Sequence, residues 1–158
     1  MEETILNILA ISNDVLQSAI VIFGSSVVLY NLGYSIHDRV TRAFTAVVAF
    51  VVIVYMTELL VSYIPESALI GSWLRLEWIG IANVPAAMFH LSDALLVTTG
   101  LASRRRRLLV RVGYTAGVII FIIAAFTDYL VGEVIIIPRA PHLTAGPLFP
   151  VFAAYFWL

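Results

Sequence analysis

Four long apolar stretches constrain the fold of this chain more than any other feature. They cover residues 15–33, 43–64, 76–101 and 108–131. The hydrocarbon core of a bilayer is about 30 Å thick, and an α-helix needs about 20 apolar residues to cross it. Because each stretch comes close to or exceeds that length, the sequence predicts an all-α fold, a polytopic transmembrane helix bundle with four full spans.

The composition indicates the same class of protein. Of the 158 residues, 61% are hydrophobic and only 12% are charged, whereas a soluble domain carries about 25% charged residues. So few charged groups cannot cover the surface, and we expect a lipid bilayer to cover part of it. The formal net charge of -1 argues against nucleic acid as a partner. Without Cys, the chain has no disulfide, thiolate metal site or cysteine nucleophile.

A fifth apolar segment begins near Pro147, and too few residues follow Gly146 for it to cross a bilayer. It ends on Phe156, Trp157 and Leu158 without a polar anchor. The segment is therefore either re-entrant or the start of a fifth span in a longer protein. We favour the second interpretation, in which residues 1–158 form a single transmembrane domain that is truncated at its C-terminal end.

The arginines predict the orientation of the bundle. Arg39 and Arg42 follow the first span, and four consecutive arginines follow the third. These four are Arg104, Arg105, Arg106 and Arg107. Since arginine-rich loops stay on the cytoplasmic side, both loops are predicted to be cytoplasmic and the N-terminus to lie outside. Binding of anionic lipid headgroups by the arginine run is an alternative role.

For two segments outside the spans, the sequence is compatible with two alternative structures each. The first dozen residues have apolar side chains at helical spacing, and they form either an interfacial helix or an extension of the first span. Residues 133–146 are predicted to form an external loop. Their β-branched run 134–137 either pairs as a short strand or dips into the membrane interface.

Several ionisable and polar side chains fall within the predicted spans. Such a group costs about 2.5–3.5 kcal/mol at the centre of a span, so it should face protein or water. Five of them predict a ligand-binding polar cavity in the outer half of the bundle. They are Glu58, Glu77, Asn83, His90 and Asp128.

His90 and Asp93 are predicted to lie near the middle of the third span. Their spacing of three residues puts them on neighbouring positions of one helix face, where an imidazole and a carboxylate can form a titrating pair. Asp93 is therefore included among the candidate ligand-binding residues. The alternative for all six polar residues is that they satisfy one another and maintain helix register without any ligand.

Small residues and a proline predict how the helices pack. Gly113 and Gly117 form a Gly-x-x-x-Gly pattern, which allows another helix to approach closely. Gly80 lies on the same face of the third helix as the polar residues. Pro85 removes one backbone hydrogen bond and is expected to kink that helix.

The chain lacks the sequence patterns of an enzyme site. It has no Gly-rich phosphate loop, no paired metal-ligand motif and no Ser/His/Asp arrangement with a plausible water-filled site, so we predict no enzyme and no metal in this chain. No cofactor is predicted either, with one weaker alternative. His90 is at a suitable depth to be an axial ligand of a tetrapyrrole, whereas His37 and His142 fall in loops.

Two patches of the sequence carry a family resemblance. The first consists of residues 76–81, which include Glu77 and Gly80, followed by Pro85 and Phe89, and the second of residues 145–149 and 152–156. In both patches the chain resembles the N-terminal seven-transmembrane sensor region of bacterial histidine kinases and related signalling proteins. The resemblance covers the four spans in layout and about five of the seven helices.

The resemblance implies a multi-pass sensor in the inner (plasma) membrane of a bacterium, acting in a two-component system. It would bind a small or lipophilic ligand in an outward-facing helix pocket that includes Glu77, and relay the signal to a cytoplasmic output beyond this chain. It would act as a homodimer or as a subunit of a larger membrane assembly. His90 and Asp93 have no counterpart in the family pattern.

That departure keeps two other functions open. The first is an accessory subunit of an energy-converting membrane complex, which contacts pigment, haem or quinone through His90. The second is a fragment of a transporter with Asp93, His90 and Asp128 on a proton path. The chain shows no inverted repeat, which many transporters have.

Overall fold

The computed structural model describes residues 2–64, 67–135 and 141–157. Within these residues it contains five helices and one two-stranded sheet. In chain order these are α1 (Glu2–Tyr34), α2 (Arg39–Tyr63), α3 (Ser67–Thr98), α4 (Arg104–Phe126), β1 (Val131–Ile135), β2 (His142–Ala145) and α5 (Phe149–Phe156).

Four of the helices are long and apolar enough to cross a membrane. The candidate spans are Asn7–Tyr34, Arg39–Tyr63, Leu69–Thr98 and Arg104–Phe126. This confirms the predicted all-α helix bundle with four spans. Helix α1 is continuous from Glu2 and its candidate span begins at Asn7, so residues 7–12 extend the first span.

The predicted bounds of the third and fourth spans need correction. Helix α3 begins at Ser67, well before the predicted start at residue 76, and it continues through Arg75. Helix α4 ends at Phe126, short of the predicted residue 131. It ends there because Thr127 takes an extended conformation and Val131 already belongs to a strand.

The four long helices pack in sequence order. Helix α1 packs against α2, α2 against α3, and α3 against α4. Helix α3 lies at the centre, since 39% of the residues in its apolar window are buried against protein, compared with 6% in α1.

The two ends of the bundle carry different features. We call the end that carries β1 and β2 the hairpin end, and the end where α2 and α4 begin the arginine end.

Glycines bring α3 close to both of its neighbours. A Cβ atom on Gly80 would lie 2.5 Å from the backbone oxygen of Phe50 in α2. A Cβ atom on Gly117 would lie 2.7 Å from the backbone oxygen of Ala82, so α4 also approaches α3 closely at this level. Both distances are too short for an alanine without movement of the helices. These are the close contacts between helices that small residues permit.

Within the segment that we predicted as an external loop, the described residues form parts of two paired strands, β1 and β2, which we call the hairpin. Strands β1 and β2 pair antiparallel, with Val131 opposite Ala145 and Ile135 opposite His142. The alternative of a short strand was therefore the better one for the start of the β-branched run. Residues 136 and 137 of that run lie outside the described residues. Val131 is buried in a cluster with Trp78, which attaches the hairpin to the bundle.

Helix α5 packs against α3 and α4. Its Phe152 is buried, and the ring centroid of Phe152 lies 4.8 Å from that of Trp78 in an edge-to-face arrangement. Further along, the hydroxyl oxygen of Tyr155 lies 3.1 Å from the backbone oxygens of both Ala82 in α3 and Gly113 in α4. A hydroxyl has one proton, so it donates to one of these two carbonyls at a time.

Candidate functional site

A cavity of about 370 Å³ lies at the hairpin end and is lined by residues of α2, α3, β1, β2 and α5. Helix α2 contributes Glu58, and α3 contributes Glu77 and Trp78. Strand β2 contributes Thr144, and Phe149 comes from the start of α5. The volume falls in the range of about 300–1,000 Å³ that is typical of small-molecule sites.

The wall of this cavity combines two carboxylates with aromatic rings. Glu58 is exposed, Glu77 is half-buried and Trp78 is buried. Neither glutamate takes part in the ion pairs found among the described residues. Carboxylates beside an aromatic face attract a cation, and the aromatic ring adds apolar surface. The site therefore suits a ligand that carries both a positive charge and an apolar body.

The other three residues of the predicted polar cavity lie elsewhere, which corrects that prediction. Asn83 is buried against α4, where its amide nitrogen donates to the backbone oxygen of Ile79 at 2.9 Å and its side chain faces Gly117. His90 and Asp128 have other partners, described below. The cavity prediction failed for these residues because the polar positions of α3 face different neighbours at different depths.

Asp128 forms an ion pair with Arg75 at the hairpin end. An Nη atom of Arg75 lies 2.5 Å from Oδ1 of Asp128, and the guanidinium also donates to the backbone oxygens of Ala124 at 2.8 Å and Thr127 at 2.9 Å. Ala124 lies in the last turn of α4 and Thr127 directly follows the helix, so the positive charge of Arg75 sits at the negative end of the helix dipole. The Asp128 side chain itself is 82% exposed.

Asp93 forms a second ionic cluster near the arginine end. Its side chain is 1% exposed and accepts from Nη2 of Arg39 at 2.7 Å and from Nε of Arg106 at 3.2 Å. These residues come from α3, α2 and α4, so the cluster joins three helices. Asp93 does not lie at mid-span as predicted, and the hydrogen bonds of its carboxylate go to arginines rather than to His90. Asp93 lies in the last two turns of α3, where the first residues of its antiparallel neighbours supply both arginines.

His90 faces Tyr114 of α4. Its Nδ1 atom lies 3.3 Å from the hydroxyl oxygen of Tyr114, and the two rings are nearly perpendicular with an angle of 84°. This contact occupies one ring nitrogen of a single imidazole. The tetrapyrrole on His90 stays a prediction. The kink at Pro85 stays a prediction too, and α3 continues as a helix through this residue.

The arginine end also carries a helix cap. Asp38 precedes α2, and its Oδ2 atom accepts from the backbone N–H of Thr41 at 2.7 Å. This hydrogen bond lowers the pKa of Asp38 and favours its ionised form. The predicted topology arginines Arg39 and Arg106 both bind the buried Asp93. Over the ranges that the structure describes, no group of three metal-ligating side chains occurs.

Arg75 and Tyr155 are the residues that sequence reasoning missed. For Arg75 a signal was available, because antiparallel neighbouring helices place the start of α3 beside the end of α4, where Asp128 lies. Tyr155 offered no such signal. Its partners are backbone carbonyls, and because every residue has one, the sequence does not indicate which of them accepts a hydrogen bond.

Tyr155→Phe is expected to lower the free energy of unfolding by about 1 kcal/mol, the net value of one hydrogen bond. Tyr129→Phe, at an exposed position of the same half of the chain, is the matched control and should change it by less than about 0.5 kcal/mol. Unfolding of the purified protein by sodium dodecyl sulfate in mixed micelles, followed by circular dichroism, measures both. Equal effects of the two substitutions would contradict the bridging role of Tyr155.

Comparison with known protein families, with characterised proteins and with solved structures finds no match to this chain. The resemblance to the sensor region therefore stands on the two sequence patches alone. Of their residues, Glu77 lines the cavity, Gly80 packs against α2, and the second patch forms the end of the hairpin and α5.

Proposed function

We propose that this chain is a transmembrane sensory input module, which binds a small lipophilic ligand in the cavity at the hairpin end and relays binding to a cytoplasmic output. The observation that carries the proposal is that one cavity is shared by α2, α3, β2 and α5. A ligand in that position contacts four separate elements at once. It can therefore change how they pack, provided that it binds one arrangement more tightly than the other.

A chain of contacts leads from the cavity into the bundle. Trp78 and Phe149 line the cavity, and both rings contact Phe152 of α5. One turn further, Tyr155 reaches the backbone of α3 and α4. A ligand that moves the Trp78 ring thus acts on the position of α5 relative to the two helices. Helix α5 runs away from the hairpin end, towards the side on which we place the output.

The chemistry of the lining indicates the ligand class. Among residues 2–64, 67–135 and 141–157, the lining includes two carboxylates and no arginine, which disfavours an anion because like charges repel. A cationic amphiphile, such as an alkylammonium compound, matches both the glutamates and the aromatic wall. We therefore propose a lipophilic amine as the ligand.

Glu77→Gln is expected to weaken binding of a dansyl-labelled alkylamine about tenfold, since a hydrogen bond to a charged group contributes about 1.5–3 kcal/mol. Binding is measured as energy transfer from tryptophan to dansyl in nanodiscs of phosphatidylcholine. The same dansyl compound with a hydroxyl in place of the amine reports simple partitioning into lipid, and its signal should not change.

Glu133→Gln is the matched control for this test. Glu133 is an exposed residue of β1 and does not line the cavity, so its loss removes the same charge from the same end of the protein. Amine binding that is non-saturable in the wild-type protein, or that responds equally to both substitutions, would exclude the cavity as the site.

The proposed relay to a cytoplasmic output is tested by the coding sequence that follows Leu158. A coding sequence that continues beyond Leu158 into a coiled-coil linker and a kinase or cyclase domain supports the input role. A stop codon shortly after Leu158 would overturn it and leave ligand binding without an output.

A further inference from the structure

The arginine run at the start of α4 divides into two groups with different surroundings. Arg106 faces the bundle, where it binds the buried Asp93 and donates to the backbone oxygen of Leu101. Arg104, Arg107 and Arg111 instead share the opposite face of α4, because residues at steps of three and four lie on one side of a helix. We call these three residues the arginine stripe.

The arginine stripe lines a cavity of about 330 Å³ together with Leu108. All three arginines are exposed. Within residues 2–64, 67–135 and 141–157, no acidic side chain forms an ion pair with any of them. Arg105 lies between Arg104 and Arg106 in sequence but does not line this cavity. The stripe is thus a concave surface with three guanidinium groups that point to a common space.

Two features around the stripe favour an anion that is attached to an apolar body. Ser103 precedes α4 without a side-chain cap, so the first backbone N–H groups of the helix add to the positive potential there. Leu108, Leu109 and Val112 are exposed beside Arg111, on a helix that is apolar enough to cross a membrane. The stripe therefore extends from the end of the helix onto its apolar surface.

We propose that the arginine stripe binds the phosphate-bearing headgroup of an anionic phospholipid. Guanidinium groups bind phosphate oxygens through paired N–H donors, and basic residues next to a membrane span attract anionic lipids. The exposed leucines place the acyl chains of the lipid against α4. Orientation of a membrane protein depends on the number of arginines in a loop and does not require them on one face. A shared face is what a bound headgroup requires.

The test is lipid retention by the full chain, purified in detergent and measured by native mass spectrometry. Phosphatidylglycerol and phosphatidylcholine with identical acyl chains are the two probes. The double variant Arg107→Gln/Arg111→Gln is expected to weaken phosphatidylglycerol binding about 25-fold, or about fivefold for each arginine at 1 kcal/mol per basic residue. Phosphatidylcholine binding should be weak for both proteins.

The control is Arg42→Gln/Arg105→Gln, which removes the same charge from exposed positions at the same end of the bundle. It should weaken phosphatidylglycerol binding less than about twofold. An equal loss in the two double variants would show diffuse attraction and overturn the proposal. Displacement of the lipid by millimolar inorganic phosphate would overturn it as well, in favour of a free-phosphate site. Since the stripe and the cavity lie at opposite ends of the bundle, neither result depends on amine binding.

Discussion

Asp93→Asn is expected to lower the free energy of unfolding by about 3 kcal/mol, the loss that follows when one partner of a buried ion pair is removed. The Asp93 side chain is 1% exposed and binds two arginines. Without its negative charge, Arg39 and Arg106, whose side chains are 33% and 29% exposed, would lose the carboxylate that both of them bind. Unfolding by sodium dodecyl sulfate in mixed micelles, followed by circular dichroism, measures the change.

Asp128→Asn is the matched control, because Asp128 also pairs with an arginine but its side chain is 82% exposed. An exposed ion pair contributes about 0–1 kcal/mol, so this variant should stay close to the wild-type protein. A further arm combines Asp93→Asn with Arg106→Gln. Residues of one ionic cluster are coupled, so the double variant should lose less than the summed losses of the single variants. Equal losses for Asp93→Asn and Asp128→Asn would refute a buried cluster.

The second large effect concerns the contact between α2 and α3. Gly80→Ala is expected to destabilise the protein by about 2 kcal/mol, within the range of about 1–3 kcal/mol for overpacking. The new Cβ would lie 2.5 Å from the backbone oxygen of Phe50 and 2.5 Å from Cγ2 of Val54. Val54 can rotate its side chain, but the backbone oxygen moves only if the two helices separate. The same unfolding experiment measures the loss.

Gly33→Ala provides the control for this prediction. Gly33 also lies in a helix, but nothing comes within 4 Å of the Cβ that an alanine would add. Alanine favours a helix over glycine by up to about 1 kcal/mol, so this variant should be neutral or slightly stabilised. If both alanine variants proved equally stable, α2 and α3 would not be in close contact at Gly80.

The composition and the length of the apolar stretches were enough to predict the membrane class and the number of spans. Both properties follow from the thickness of the bilayer, which acts on each segment separately and requires no knowledge of its neighbours. The bounds were less certain. The start of α3 was missed because Arg75 interrupts the apolar run. In the structure, the charge of this arginine is bound by Asp128 and by backbone oxygens at the end of α4.

For the polar residues, too, the sequence predicted local properties but not the contacts between helices. The spacing of Glu77, Asn83, His90 and Asp93 predicted that these polar residues share one face of α3, since helical geometry is local. The identity of each partner depends on how α3 is rotated and on which residues of α2, α4 and α5 reach the same depth. Arg39 and Asp93 are separated by 54 positions in the chain. Only the tertiary structure determined that Asp93 binds two arginines while Glu77 faces a cavity, because side chains far apart in sequence meet only when the helices are packed.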